Sequence, residues 1–147
     1  ASRGLGDVYK RQLEAFATDA ETPLTTLIHD LLEARWREAN VDFDDLCILM
    51  KIGRESSELR MALKEAVEGQ RAALVTASAR RTGKPEDSLE VLVLVGTVQA
   101  MERAAFQSVV ARPGGSSAEM ADTVDRVIDV WARLSAELIA GISSTKP

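Results

Sequence analysis

Few residues of this chain could carry out chemistry. It has one histidine, His29, and one cysteine, Cys47. His29 and Glu33 are four residues apart, which places both on one face of a helix and within reach of one metal ion. A di-iron helical bundle, however, needs Glu-x-x-His on two helices, and Thr26 stands where the first glutamate would be. We therefore interpret His29 as a histidine on a helix surface or at the edge of the core, and we predict no metal and no cofactor.

Other candidate motifs also lack the partners that catalysis requires. Cys47 lies among leucine and isoleucine residues, which is typical of a small buried apolar residue. Gly114-Gly115 is followed by no Lys-Ser or Lys-Thr pair, so it is not a phosphate-binding loop. Arg80-Arg81 and Lys84 form a small basic cluster that suits the end of a helix. The sequence predicts no catalytic residues and therefore no enzyme.

Composition indicates one folded domain. The chain has 147 residues, of which 46% are hydrophobic and 28% charged, as in ordinary globular proteins. Its net charge of −5 argues against a large nucleic-acid-binding surface. It contains neither a run of about 20 apolar residues that could span a membrane nor a secretory signal. A single cysteine excludes an internal disulfide, and we expect a cytoplasmic protein without a membrane partner.

The first residues do not look native. Asp7 to Gln12 reads Asp-Val-Tyr-Lys-Arg-Gln, and the stretch from Ser2 resembles the translation of a transposase-type sequencing adapter. We expect residues 1–12 to be a non-native leader, so that the native N-terminus is missing. Residues 13–142 then form the domain, and residues 143–147 form a flexible tail.

Apolar spacing and capping residues predict an all-α fold of about five to six helices. A helix tail at Leu13 to Ala20 precedes helices at about 23–39, 43–52, 57–82, 87–111 and 118–140. Thr22 and Ser56 or Ser57 are the expected N-terminal caps, and Gly53 and Gly83 the expected C-terminal stops. Residues 40–42 should form a turn, Ser116 and Glu119 a capping box, and Gly141 the end of the last helix.

The most apolar stretch runs from Leu89 to Val98. Its alternating valines would suit a strand, but the pattern continues to Ala111 without a turn signal, and that length favours a helix. Such a helix is apolar nearly all round, so it must be covered on more than one face. The domain's own helices can cover one face, and a second copy of the chain could cover another.

The last helix carries a regular apolar seam. Its residues recur with a period of about 3.5, which suits near-parallel packing in a helical bundle: Met120, Val124, Val127, Trp131, Leu134 and Leu138. Other soft or aromatic residues lie on helices that should converge, namely Trp36, Met50, Met61, Met101 and Phe106. These could line an apolar ligand cavity or could be ordinary core, and the pattern leaves both interpretations open.

Several segments follow one another in a recognisable order. Asp44 to Arg54 forms a short helix after the first long one, and Glu58-Leu59-Arg60 after two serines starts the next helix. Ala72 to Gly83 ends that helix, and Pro85-Glu86-Asp87 starts the one that follows. The stretches 92–106 and 124–138 belong to the two final helices. Together these segments resemble the C-terminal effector-binding and dimerisation domain of TetR/AcrR-type transcriptional regulators, over Leu13 to Ile142. The family's N-terminal helix-turn-helix has no counterpart here.

The resemblance implies the regulatory domain of a ligand-responsive repressor. It implies a homodimer in which the last two helices pair with their copies, a small apolar or amphipathic effector, and DNA contact only through the missing N-terminal domain. The expected interface residues are Val91, Val95, Val98, Val124, Val127, Trp131, Leu134 and Leu138. The expected ligand-binding residues are His29, Trp36, Met50, Met61, Thr97 and Met101. The alternative is a stand-alone helical protein-interaction module with no DNA role.

Overall fold

The computed structural model describes residues 6–39, 43–110, 112 and 114–145, and all regular structure in those ranges is α-helical. The helices are α1 (Asp7–Thr18), α2 (Leu24–Ala39), α3 (Phe43–Glu55), α4 (Ser57–Thr82), α5 (Leu89–Val110) and α6 (Ser117–Thr145). The predicted all-α fold is confirmed, and the stretch from Leu89 is a helix and not a strand. The turn expected at residues 40–42 lies outside the described residues.

Most helix ends follow from local capping. The Ser56 hydroxyl accepts a hydrogen bond from the Leu59 amide at 3.3 Å, and Gly83 ends α4 with a φ of 66°, a backbone conformation that glycine adopts without strain. The Ser116 hydroxyl accepts from the Glu119 amide at 3.2 Å, as one half of the expected capping box. Ser88, directly before α5, caps this helix, since its hydroxyl accepts a hydrogen bond from the Val91 amide at 3.3 Å.

Two predicted helix ends and one predicted cap are wrong. α3 continues past Gly53 to Glu55, and α6 continues past Gly141 to Thr145, because a single glycine weakens a helix by only about 1 kcal/mol. Thr22 does not cap α2: its hydroxyl donates to the Asp19 carboxylate at 2.6 Å. That carboxylate also accepts from the Glu21 and Thr22 amides, and these hydrogen bonds lower the pKa of Asp19, the Thr22 side chain contributing most.

The core lies where α1, α2, α4, α5 and the first half of α6 meet. α2 packs against α1 and α6, and α5 packs against α4 and α6. The fully buried side chains include Phe16, Ile28 and Leu31 from the first two helices. The predicted leader is part of this fold: α1 begins at Asp7, and Tyr9 is only 4% exposed. The assignment of residues 1–12 as non-native stays a prediction.

Two arginines of the basic cluster at the end of α4, Arg80 and Arg81, bind to α1 and the residue after it. Arg80 forms two hydrogen bonds to the Glu14 carboxylate, at 2.6 and 2.9 Å. Arg81 donates to the carbonyl oxygens of Phe16 and Asp19 at 3.0 and 2.8 Å, which otherwise lack partners at a helix C-terminus. The interpretation as a helix-end arrangement is confirmed for Arg80 and Arg81, which lie in the last turn of α4. None of the described helices combines the length and the apolar character needed to cross a membrane.

Candidate functional site

A cavity of about 400 Å³ lies between α2, α4 and α5, with Tyr9 of α1 at one side. Its volume is within the range of small-molecule sites. Apolar lining comes from Leu31, Leu32, Leu74 and Val98. Polar and charged lining comes from Arg35, Gln70, Arg71, Gln99, Glu102 and Arg103. An apolar cavity with a small number of polar groups is the usual form of a ligand site.

One wall of the cavity is aromatic. Trp36 of α2 stacks with Phe106 of α5, with ring centroids 5.9 Å apart and an interplanar angle of 28°. The Arg35 guanidinium lies over the Trp36 ring, 5.9 Å from its centroid, within the range of a cation–π contact. Both rings also line the cavity. The wall is thus held from two helices and presents a flat, polarisable surface to the interior.

A polar network joins three helices across the cavity. Arg35 donates to the Glu102 carboxylate at 2.6 Å and also to the Gln70 side-chain oxygen. The Trp36 indole donates to the other Glu102 oxygen at 3.1 Å. α2, α4 and α5 are therefore linked through one carboxylate and one guanidinium. A ligand that disturbs this network would change how the three helices are held together.

The Glu102 carboxyl group is largely buried, with 16% of its side chain exposed. Burial raises the pKa of Glu102, while the positive charge of Arg35 and the indole hydrogen bond from Trp36 oppose that increase. Burial has the larger effect because the cavity removes the water that would stabilise the charged carboxylate. Tyr9 behaves similarly: burial raises the pKa of its phenol. Ionisation inside this cavity is therefore disfavoured unless a partner of opposite charge is present.

A second concave region lies along another side of α5. Two adjoining depressions, of about 660 and about 440 Å³, share Val93, Thr97 and Trp131 in their lining. The smaller one lies between α5 and α6, and the larger one is also lined by residues of α2 and of the end of α4. We call this region the α5–α6 groove. Large apolar side chains of α5 and α6 stay exposed in and around this region: Leu89, Leu92, Val93, Val130, Trp131, Leu134, Leu138, Ile139 and Ile142. A contiguous apolar surface of this kind marks an interaction site more often than a free surface.

The predicted ligand-binding residues whose side chains the structure describes do not converge on one site. Trp36 lines the cavity, whereas Thr97 and Met101 line the α5–α6 groove. Met61 is 63% exposed on α4, and the side chain of Met50 lies outside the described part of the structure. Their role as ligand residues stays a prediction, which the geometry favours most for Trp36.

His29 has a different environment. Its Nε2 lies 3.0 Å from Glu33 and 3.1 Å from Asp125 of α6, and its Nδ1 lies 3.0 Å from Asp30. The expected pairing with Glu33 is therefore present, and the ring sits at the edge of the core. Within the described residues, no group of three or more His, Cys, Asp or Glu side chains could hold a metal ion. The contacts of His29 join α2 to α6 and lie apart from the cavity lining.

The eight predicted interface residues fall into two groups. Val91, Val95, Val98 and Val124 are at most 2% exposed in the single chain, where they form its own core. Trp131, Leu134 and Leu138 are 39%, 55% and 68% exposed, and Val127 is half-buried. Only the second group is accessible to a partner.

Sequence reasoning overlooked the polar residues of the cavity, above all Arg35, Gln70 and Glu102. Glu102 and Arg103 look like a solvent-facing side of the helix in the sequence. The sequence nevertheless contained a signal for Glu102. Because α5 is apolar nearly all round, a charged residue in it can face the interior, and a buried charge requires a partner of opposite charge. Arg35, directly before Trp36, supplies it.

Comparison with known families agrees with this architecture. Residues 44–136, from α3 into α6, match the family described as the MftR C-terminal domain, one of the TetR C-terminal domains. The chain therefore belongs to the TetR class of C-terminal domains. Within that class it belongs to the MftR C-terminal domain family, and the predicted family resemblance is confirmed. No curated protein and no solved structure matches the chain.

Proposed function

We propose that the chain is the ligand-binding and dimerisation domain of a TetR-like transcriptional repressor, whose DNA-binding head is not part of this fragment. Family membership supports a regulatory, non-enzymatic role. The observation that carries the proposal is the position of α5. One side of this helix lines the cavity, and another side lines the exposed α5–α6 groove.

The effector site of this proposal is the cavity between α2, α4 and α5. A small apolar or amphipathic molecule would contact the aromatic wall and the polar network at Glu102. A ligand shifts an equilibrium between two conformations only if it binds them with different affinity. The network supplies such a difference, because inserting a ligand changes the contacts among three helices. α5 would carry that change to the groove.

The dimer surface of this proposal is the α5–α6 groove together with the second half of α6. Val127, Trp131, Leu134 and Leu138 keep their proposed role as interface residues, and Val93 and Val130 join them because they line the same groove. A second copy would bring the same two helices and form a four-helix bundle. Val91, Val95, Val98 and Val124 would support that bundle from inside each protomer.

Binding of a neutral apolar dye such as Nile red tests the cavity. Trp36→Ala should reduce binding strongly, because it removes half of the aromatic wall. Met61→Ala is the matched comparison, because Met61 is exposed and lies outside the cavity lining. Equal loss in both variants would show that the dye does not report on the cavity. Circular dichroism should show that both variants keep their helix content.

The regulator proposal also has a genetic test. We expect the parent genomic DNA upstream of the Leu13 codon to encode an in-frame helix-turn-helix. A start codon close to Leu13 without such a segment would favour the alternative of a stand-alone helical interaction module.

A further inference from the structure

Two arginines at the cavity differ from the third. Arg71 of α4 and Arg103 of α5 both line the cavity, yet both are exposed, which places them at its mouth. Neither has an ion-pair or hydrogen-bond partner among the interactions of the described residues. Arg35, in contrast, is held inside by Glu102 and Gln70. The mouth therefore carries two guanidinium groups, from two helices, that are open to a ligand.

The charge of the cavity contrasts with that of the whole chain. The chain has a net charge of −5, but the described lining of the cavity contains three arginines and a single carboxylate, Glu102. That carboxylate is already bound by Arg35 and by the Trp36 indole. The uncompensated charge at the mouth is therefore positive. It attracts an anion and repels a cation, and guanidinium groups match a carboxylate in geometry.

The interior of the cavity best fits a ligand whose apolar part is flat. Trp36 and Phe106 form a stacked wall, and a further aromatic ring gains from offset or edge-on contact with such a wall. Leucines and Val98 line the remaining apolar surface. The volume of about 400 Å³ lies toward the small end of the usual range for ligand sites, which favours one or two rings over a long chain.

We propose that the effector of this cavity is a small aromatic carboxylate, with its ring against Trp36 and Phe106 and its carboxylate held by Arg71 and Arg103. This inference rests on the proposed function, since it specifies the ligand class of the same cavity. Glu102 contributes to the selection by staying paired with Arg35. A cationic ligand would find no free carboxylate in the described lining and would pass two arginines on entry.

Calorimetric titration with three probes of one shape tests the charge preference: naphthoate, neutral naphthamide and cationic naphthylmethylammonium. Naphthoate should bind at least about tenfold more tightly than naphthamide, a difference of roughly 1.4 kcal/mol. Arg71→Gln and Arg103→Gln should each weaken naphthoate binding about threefold to tenfold, because a charge-assisted hydrogen bond at an exposed mouth is weakened by solvent. Both variants should affect naphthamide binding much less, because the amide carries no charge. Added salt should reduce the naphthoate affinity.

Arg60→Gln is the matched control, since Arg60 is an exposed arginine of α4 outside the cavity lining. It should leave the affinity for naphthoate unchanged. An equal loss in this variant would overturn the assignment of the carboxylate to Arg71 and Arg103.

The remaining outcomes separate this inference from the proposed function. If naphthamide or the cation binds as tightly as naphthoate, the ligand class is wrong and the cavity remains a binding site. If none of the three binds while Nile red still binds in a manner that depends on Trp36, the ligand class is again wrong. If Nile red fails as well, both the ligand class and the effector cavity are overturned.

Discussion

The two halves of α6 carry one apolar seam but have opposite environments. In the first half, Met120 and Val124 are 0% and 1% exposed. In the second half, Leu134 and Leu138 are 55% and 68% exposed, although they continue the same spacing. Within the protomer, α6 packs against α2 and α5, and the burial of Met120 and Val124 shows that its first half is covered. The second half presents side chains of the same chemical type to the outside.

The two halves of α6 show what the spacing of apolar residues along a helix can predict and what it cannot. Seam spacing identifies the apolar side of a helix, but it does not identify what covers that side. The first half of the α6 seam stabilises the protomer. The second half, in the proposal made above, stabilises the association of two protomers. Substitutions at equivalent positions of the two halves should therefore act on different equilibria.

The largest expected effect follows from Val124→Asp in the buried half. It places a charge where the native side chain is 1% exposed, with no cationic partner provided. We expect a loss of at least about 4 kcal/mol in the free energy of unfolding, because an unpaired buried charge is among the most destabilising changes. Urea unfolding followed by circular dichroism measures it. A loss below about 1 kcal/mol would contradict the placement of Val124 in the core.

Leu134→Asp makes the matched change in the exposed half. The protomer should keep its helix content, because Leu134 is 55% exposed and surface substitutions usually change stability by about 0.5 kcal/mol or less. Association should weaken by about 2 kcal/mol or more, as at a central interface residue. Sedimentation over a range of concentrations measures this. Unfolding comparable to that of Val124→Asp would remove the distinction between the halves.

Glu102→Gln extends the comparison to a buried charge. Two effects oppose each other at neutral pH: the variant avoids burying a carboxylate, but it removes the negative charge that pairs with Arg35. We expect the free energy of unfolding to change by no more than about 1 kcal/mol.

The pH dependence of stability gives a more specific test of the burial of Glu102. Because the folded-state pKa of Glu102 is raised, its contribution to stability is complete below the ordinary glutamate pKa and is lost as pH rises through the folded-state pKa.

The wild-type chain should therefore gain stability relative to Glu102→Gln as pH falls through the folded-state pKa of Glu102. Paired urea titrations of the two proteins at a series of pH values measure this difference, and other carboxylates cancel. A difference that stays constant with pH would contradict the burial of this carboxyl group.

The smallest expected effect concerns Ser78 on α4. Its side chain is fully buried, and its hydroxyl is the one buried side-chain oxygen in the described part of the chain that lacks a hydrogen-bond partner. An unsatisfied buried hydroxyl destabilises the folded state, so Ser78→Ala should raise the free energy of unfolding by up to about 1 kcal/mol. Thermal unfolding measures it. A clear loss of stability would show that the hydroxyl has a partner.

Local signals explain which parts of the fold could be predicted. The ends of α4 were predicted because Ser56 and Gly83 act within their own turns of helix. The ends of α3 and α6 were missed because an interior glycine does not by itself stop a helix. The burial of Val124 and the exposure of Leu134 could not be separated, since both depend on where α2 and α5 end in space.

The candidate site was less accessible to sequence reasoning. Trp36 was found because an aromatic residue on an apolar helix indicates an interior position. Glu102 was missed because its partner Arg35 is 67 residues away in the chain, and spacing along one helix does not reveal which charges meet across helices. His29, the single histidine, could have been a metal ligand by its spacing from Glu33, but its contacts join α2 to α6 outside the cavity.

The most direct test of the proposed dimer is sedimentation equilibrium of the wild-type chain. We predict a mass of twice the 15.9 kDa of one chain, with a shift toward one chain mass in Leu134→Asp. A wild-type protein that stays at 15.9 kDa at every concentration, with its helices intact, would contradict the proposal that a second copy covers the second half of α6.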